Sequence, residues 1–376
     1  MLFSKAARTL MTQKLMMQNK AIQLQNFLRD EIKSQGALTI PEFMDHVLGH
    51  PEYGYYITRD PIGKDGDFTT SPEISQIFGD MIGLWLADIW IQMGSPKRFA
   101  LLECGPGRGT LMADIMRVTS AVDGFSKAAQ ITLLETSPIL KEKQKQALSS
   151  FKPIWIDNLD QLSNDMPVLF VANEFFDALP VNQYQFIDGA WYKRLVDYRD
   201  EKFIWSQQKT DFDPCDDIGM RPAEDKQIFE KSDIRSSLMG QLASKLKHQG
   251  GAGLVIDYGH TYHAFGDTLQ AMKAHKYVDA LDHVGDADIT SHVDFAALKD
   301  CAVERGADVF GMLTQGDFLR ALGIQIHTSR LMESANMQQK GDLQNALHRL
   351  THSDEMGTLF KVMGVGYGAN IKAAGF

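Results

Sequence analysis

The sequence predicts an α/β protein in which a parallel sheet is flanked by helices. Short apolar runs at 99–103, 131–134, 154–156, 168–172 and 253–256 have the length and composition of buried strands. Stretches of helical spacing separate them, and that alternation is the signature of strands joined by right-handed crossovers. Each run also ends at a polar residue, Glu103, Glu135, Asp157, Asn173 or Asp257. In open sheets of this kind ligands bind beyond the carboxyl ends of the strands.

Taken in order, the chain opens with a basic segment, since Lys5, Arg8, Lys14, Lys20 and Arg29 all precede the first acid, Asp30. With Leu2, Phe3, Ala6 and Leu10 at near-helical spacing, residues 1–20 read as a flexible or targeting segment of the mitochondrial presequence type. A later start at Met11, Met16 or Met17, or a basic surface helix, accounts for them equally. Residues 21–98 read as a helical lead-in followed by a loop that covers a cofactor. Helices are expected over 22–35 and 40–48, the latter with Pro41 in its first turn. Residues 49–70 carry Pro51, Gly54, Pro61, Gly63 and Gly66 and read as an ordered loop. A long helix is then expected from 71 to about 93, with Ser71 as cap and Pro72 and Glu73 in the first turn.

Residues 99–376 are expected to form the main domain. Within it, 182–232 reads as an insertion, with hairpin strands turning at Asp188-Gly189 and Asp200-Glu201, to extend the sheet or form a flap, and a long polar surface loop from 206 to 232. Residues 260–292, with His275, His283, His292, Asp286 and Asp288, read as a substrate-side segment. Helices return near 234–247, 295–305, 315–322 and 343–350, and Phe360, Val362 and Val365 suggest a closing strand.

Composition narrows the function. A chain of 376 residues, 44% hydrophobic and 23% charged, can bury a large core. Its net charge of −10 repels a phosphate backbone, so no nucleic-acid partner is expected. Cys104, Cys215 and Cys301 lack the spacing of a disulfide framework or zinc site. His260 and His263 are expected to be solvated or hydrogen-bonded, and no metal is expected. No apolar run is long enough for membrane insertion.

The sharpest motif is Glu103-Cys104-Gly105-Pro106-Gly107-Arg108-Gly109-Thr110. Glycines let the chain turn tightly from strand to helix and let a ligand approach the backbone. A dinucleotide fingerprint has the spacing G-x-G-x-x-G. Here an acid precedes G-x-G-x-G, the form used for S-adenosylmethionine, whose cationic amino group and sulfonium a strand-end acid such as Glu103 can face. Glu135 has lone pairs enough for both ribose hydroxyls, and Asp157, Asn158 and Leu159 are placed for the adenine. A nicotinamide or flavin cofactor, or a structural turn, are the other readings. At the fourth strand end, Glu174 and Asp177 are catalytic candidates, because two carboxylates can hold a guanidinium and orient its attacking nitrogen. Asn173 is itself a cofactor-binding candidate, and Asn173 and Glu174 can instead cap a following helix or hold a loop. Thr69, Thr70 and Ser71 are expected to reach the cofactor's polar tail, unless Ser71 serves only as a cap.

The segments Gly66-Asp67-Phe68-Thr69-Thr70-Ser71-Pro72-Glu73-Ile74-Ser75-Gln76-Ile77-Phe78-Gly79, Gly105-Pro106-Gly107-Arg108-Gly109-Thr110-Leu111, Asn173-Glu174-Phe175-Phe176-Asp177-Ala178-Leu179-Pro180-Val181 and Asp257-Tyr258-Gly259-His260 resemble the MidA family. That family includes a mitochondrial protein arginine methyltransferase needed for assembly of respiratory complex I. The resemblance runs from about residue 30 to the C-terminus. It implies a Rossmann-like methyltransferase fold with an inserted region and use of S-adenosyl-L-methionine. It also implies symmetric dimethylation of an arginine on the large quinone-site subunit of complex I. Cys104 departs from the larger apolar residue expected there, but a buried thiol behaves as a small hydrophobe. The matrix is the expected location in a eukaryote and the cytoplasm in a bacterium, and a homodimer is compatible with the reading. Methylation of a small molecule, or a non-catalytic assembly role, are the alternatives.

Overall fold

The computed structural model describes residues 5–63, 67–214, 223–368 and 371–376, with side chains from residue 17. Gly66 and Cys215 fall outside the described residues. The chain divides into two compact units, each assembled from three segments.

The larger unit comprises Thr69–Asp177, Arg235–Tyr262 and His292–Phe376. Its sheet runs in the order Asp308–Thr314, Phe360–Tyr367, Gly251–His260, Val168–Asn173, Phe99–Cys104, Ala129–Leu134, Ile154–Ile156. The last five strands in that order are mutually parallel, and these are the five apolar runs expected as strands. Phe360–Tyr367 runs antiparallel to both of its neighbours. Phe99–Cys104 and Val168–Asn173 are buried along their whole length, which is why they show continuous apolar runs and no alternation. Helices Thr110–Thr119 and Pro138–Ala147 follow the first two strands in sequence. Leu111, Met112, Ile115 and Met116 join Ile77, Phe78, Trp85, Leu101 and Val171 in one core.

The expected long helix from Ser71 is two. A short turn, Ser71–Ile74, is interrupted by Ser75 in extended conformation (φ −168°, ψ 148°), and Gln76–Gln92 follows. The Ser75 hydroxyl accepts the Ile77 N–H at 3.4 Å, so its side chain caps the second helix in place of continuing the first. Ser71 is not a cap.

The smaller unit comprises Met1–Phe68, Ala178–Ile234 and His263–Ser291; the segment 21–98 thus contributes to both units. Helix Lys5–Gln35 includes most of the basic N-terminal stretch. Thr39 and Glu42 form a capping box on helix Ile40–Gly49, with Pro41 in the first turn. The hairpins turn at Asp188-Gly189 and Asp200-Glu201, with φ of 48° and 80°, then 49° and 60°. Their strands do not extend the parallel sheet. Leu38–Thr39, Asn182–Ile187, Ala190–Arg199, Lys202–Lys209 and Ile228–Lys231 form a separate antiparallel sheet. Two of those strands lie partly or wholly inside the stretch expected as a loop, because ladder hydrogen bonds need no apolar side chains on an exposed face. Residues 270–290 contribute a three-stranded sheet. Its hairpin tip, Ala274-His275, donates backbone N–H groups to Asp67 Oδ1 at 2.7 Å and Asp67 O at 3.1 Å. Among the described residues no helix is long and apolar enough to cross a membrane.

Candidate functional site

The glycine turn sits at the carboxyl end of Phe99–Cys104. Gly105, Gly107 and Gly109 have φ of 65°, 52° and 85°, in the left-handed region that side chains disfavour. At Gly105 there is no room either, since an added Cβ would lie 2.6 Å from Phe175 Cδ2. Gly109 opens helix Thr110–Thr119 without a side-chain cap.

Glu103 precedes this turn, with only 3% of its surface exposed. Its Oε2 has no hydrogen-bond partner. Burial pushes its pKa up to about 8, opposed in part by the Met112 backbone N–H. On the adjacent strand, Asn173 is 7% exposed and its Oδ1 is likewise unpartnered. Two buried acceptor atoms without donors therefore stand at the carboxyl ends of neighbouring strands. Unmade buried bonds of this kind are costly, and an ammonium group is a chemical match for them.

Glu135 is buried and held. Its Oε1 accepts the N–H groups of Thr136 (2.9 Å) and Ser137 (2.8 Å), and its Oε2 accepts Gln144 Nε2 (2.9 Å). Burial raises its pKa despite these bonds. Each carboxylate oxygen has capacity for more than one donor, so the fixed carboxylate remains able to accept from a diol. Gln144 is a hub that sequence reading missed. Fully buried, it also donates from Nε2 to Gly107 O (2.8 Å) and accepts Trp155 Nε1–H on Oε1 (2.7 Å). It thereby joins the second-strand acid to the glycine turn.

The third strand end is more exposed. Asp157 pairs with Lys141 Nζ at 2.7 Å, Asn158 caps a 3₁₀ turn through the Asp160 N–H, and Leu159 is packed into the interior.

Glu174 has φ 49°, a strained value for a residue with a side chain. Its Oε1 accepts the Ser71 N–H at 2.8 Å and Asn173 Nδ2 at 3.1 Å. No helix follows, residues 174–180 being bends, a turn and irregular chain, so Asn173 and Glu174 cap none; the bond from Ser71 to Glu174 instead fits the alternative in which they hold a loop. Burial, opposed by the Ser71 N–H and reinforced by the Asp177 charge, moves the Glu174 pKa up to about 7. Asp177 is 7% exposed. The turn is gathered by Asp257, a fully buried carboxylate whose Oδ2 accepts the N–H groups of Phe175, Phe176 and Asp177 at 3.2, 3.0 and 3.1 Å.

The segment from Thr70 links these parts. Ser71 is fully buried and its Oγ lies 3.5 Å from Gln315 Oε1. Glu73 accepts the Thr110 hydroxyl at 2.5 Å and lies 3.7 Å from Arg108 Nη1, tying Ser71–Ile74 to the glycine turn. Thr70 occupies the cap position of that helix but makes no side-chain cap. The structure thus brings Ser71, Glu103, the three glycines, Glu135, Asn173, Glu174 and Asp177 around the carboxyl ends of adjacent strands. Glu73, Gln144 and Asp257 join them; of these, the strand-end position of Asp257 alone carried a sequence signal.

Comparison with known proteins points the same way. A family model described as S-adenosyl-L-methionine-dependent methyltransferase matches residues 81–313. The chain is 34% identical to the mitochondrial protein arginine methyltransferase NDUFAF7 homolog of Drosophila melanogaster, covering 89% of this chain and 83% of that protein. It is 33% identical to the mitochondrial protein arginine methyltransferase NDUFAF7 of Homo sapiens, covering 85% and 77%. A Burkholderia thailandensis protein crystallised with S-adenosyl-homocysteine superposes with a TM-score of 0.84, at 25% identity and 95% coverage of both chains.

Proposed function

The chain belongs to the S-adenosyl-L-methionine-dependent methyltransferase family, and on that premise we propose that it transfers methyl groups to an arginine side chain of a protein. The acceptor we infer is the quinone-site subunit of respiratory complex I, with dimethylation supporting assembly of that complex. The relatives' names support a protein substrate and a mitochondrial setting; the matrix is the site we infer in a eukaryote, and the cytoplasm in a bacterium.

The observation that carries the reading is the pair of orphaned acceptors, Glu103 Oε2 and Asn173 Oδ1, beside a glycine turn whose Gly105 leaves no room for a side chain. In this reading they receive the cofactor's amino group, Glu135 receives its ribose hydroxyls, and Asp157, Asn158 and Leu159 border its adenine. Thr70 and Ser71 close over its polar tail. The bound cofactor supplies an electrophilic methyl group on a sulfonium. Glu174 and Asp177 then act on the acceptor. Their carboxylates bind the guanidinium and aim one nitrogen at the methyl group, where alignment is the main requirement. With a pKa near 7, Glu174 can also accept the proton that the methylated nitrogen releases.

The test is calorimetric binding of S-adenosylhomocysteine, followed by incubation with recombinant complex I quinone-site subunit and mass spectrometry for methylarginine. Binding together with methylarginine supports the proposal. Binding without any transfer to arginine retires the arginine acceptor and shifts the weight to a small molecule.

A further inference from the structure

We propose that Asp257 is a positioning residue for methyl transfer: its carboxylate builds the turn that aims Glu174 and Asp177 at the acceptor. This rests on the acceptor role proposed for those two residues. Asp257 ends the buried run of Gly251–His260, the strand next to Val168–Asn173, and none of its surface is exposed. Both of its oxygens are used. Oδ2 collects the three successive N–H groups of Phe175, Phe176 and Asp177, while Oδ1 accepts the N–H of Tyr258 at 3.0 Å.

The Phe175, Phe176 and Asp177 donors belong to no helix or strand ladder, so an anion is what they converge on, as in backbone nests. The turn is also held from outside. The Glu174 N–H donates to Ile256 O at 2.8 Å. Arg235 Nη2 donates to Asp177 O at 2.9 Å, and its Nη1 to His292 O at 2.8 Å. Between these anchors Glu174 takes its left-handed φ of 49°, a conformation that persists only where its surroundings over-determine it. The arrangement carries an electrostatic cost that a simple structural hydrogen bond avoids. Asp257 is forced to share a buried region with Asp177 and Glu174, and burial with those two charges drives its pKa well up. A neutral side chain would hold a loop without that repulsion. The carboxylate is accounted for by the need to bind three donors at one point and so fix the direction of the residues on either side.

The experiment compares wild type, Asp257→Asn and Glu174→Gln with recombinant complex I quinone-site subunit as acceptor. Asp257→Asn is expected to keep S-adenosylhomocysteine affinity within about threefold while kcat falls on the order of 100-fold, the scale of a misplaced catalytic group. A kcat within about threefold of wild type, or a loss confined to cofactor affinity, overturns the proposal. If Glu174→Gln is fully active, the acceptor reading falls; if Glu174→Gln is impaired and Asp257→Asn is not, this inference alone falls. Should Asp257→Asn fail to fold, amide exchange in wild type decides. Protection of the 175–177 amides comparable to strand Gly251–His260 supports the nest, and exchange at the rate of an open loop overturns it.

Discussion

The backbone N–H of Ser71 donates to Glu174 Oε1 at 2.8 Å across 103 positions of sequence. This bond ties the segment that begins the Ser71–Ile74 turn to the carboxylate proposed to meet the acceptor. Glu174→Ala removes the acceptor for both Ser71 and Asn173, leaving buried donors unpaired. We expect a loss of about 1–3 kcal/mol in unfolding free energy, read by urea denaturation, and a smaller loss in Glu174→Gln, which retains an oxygen. Equal stability of the Ala and Gln variants would mean that the bond contributes nothing.

The raised acids give stability and activity opposite pH dependences. Burial moves Glu174 up to about 7 and Glu103 up to about 8, both above the ordinary value of 4.5. A folded pKa above the unfolded one means that the folded state prefers the proton. The resulting stability is complete below the unfolded value and is lost as pH rises through about 7 for Glu174 and about 8 for Glu103. The melting temperature of the ligand-free protein should therefore decline over that range. Methyl transfer should rise over the lower part of it, as Glu174 becomes the carboxylate that binds a guanidinium. A melting temperature that climbs from pH 5 to 8 would contradict the burial of these groups.

Cofactor binding should release a proton at Glu103. Below about 8 this group is mostly protonated in the free protein; an ammonium placed against it favours the carboxylate. Calorimetry of S-adenosylhomocysteine binding at neutral pH, in buffers of different ionisation enthalpy, should report release of roughly one proton per site. Glu103→Gln should abolish the buffer dependence. A wild-type enthalpy independent of buffer would remove Glu103 from the proposed contact.

Gly105→Val should eliminate S-adenosylhomocysteine binding. The substitution meets two obstacles, a φ of 65° and a Phe175 ring carbon 2.6 Å from the new Cβ. Only the second is relieved by Phe175→Ala. The pair Gly105→Ala with Phe175→Ala is thus expected to remain defective, and full recovery would show that crowding, not backbone conformation, sets the requirement for glycine.

Gln144→Leu should destabilise the protein and loosen the cofactor. It strands the Trp155 indole N–H, removes a donor from Glu135 Oε2 and frees Gly107 O. The expected cost is about 1–3 kcal/mol by chemical denaturation, accompanied by weaker S-adenosylhomocysteine binding because the second-strand acid is no longer held. Unchanged affinity in the folded variant would confine Gln144 to a structural role.

The sequence by itself determined the parallel strands, the glycine turn and the acids at the strand ends, because each is written in a local pattern. A buried strand is a short apolar run, and a left-handed turn needs glycine where the backbone makes it. Ser75 shows the limit of such patterns: helical spacing continues through it, yet its hydroxyl caps a new helix. The strand Ile228–Lys231 shows another, since its ladder bonds to Asn182–Gln185 leave no periodic trace in a polar stretch. Tertiary structure alone decided that the acids differ in kind. Glu135 is held by Gln144 and two backbone donors with capacity to accept more, Glu103 is left with an empty oxygen, and Asp257 closes a turn about 80 residues away. The physical reason is that a carboxylate's state depends on which donors surround it and how much water is excluded, and chain segments far apart in sequence supply both.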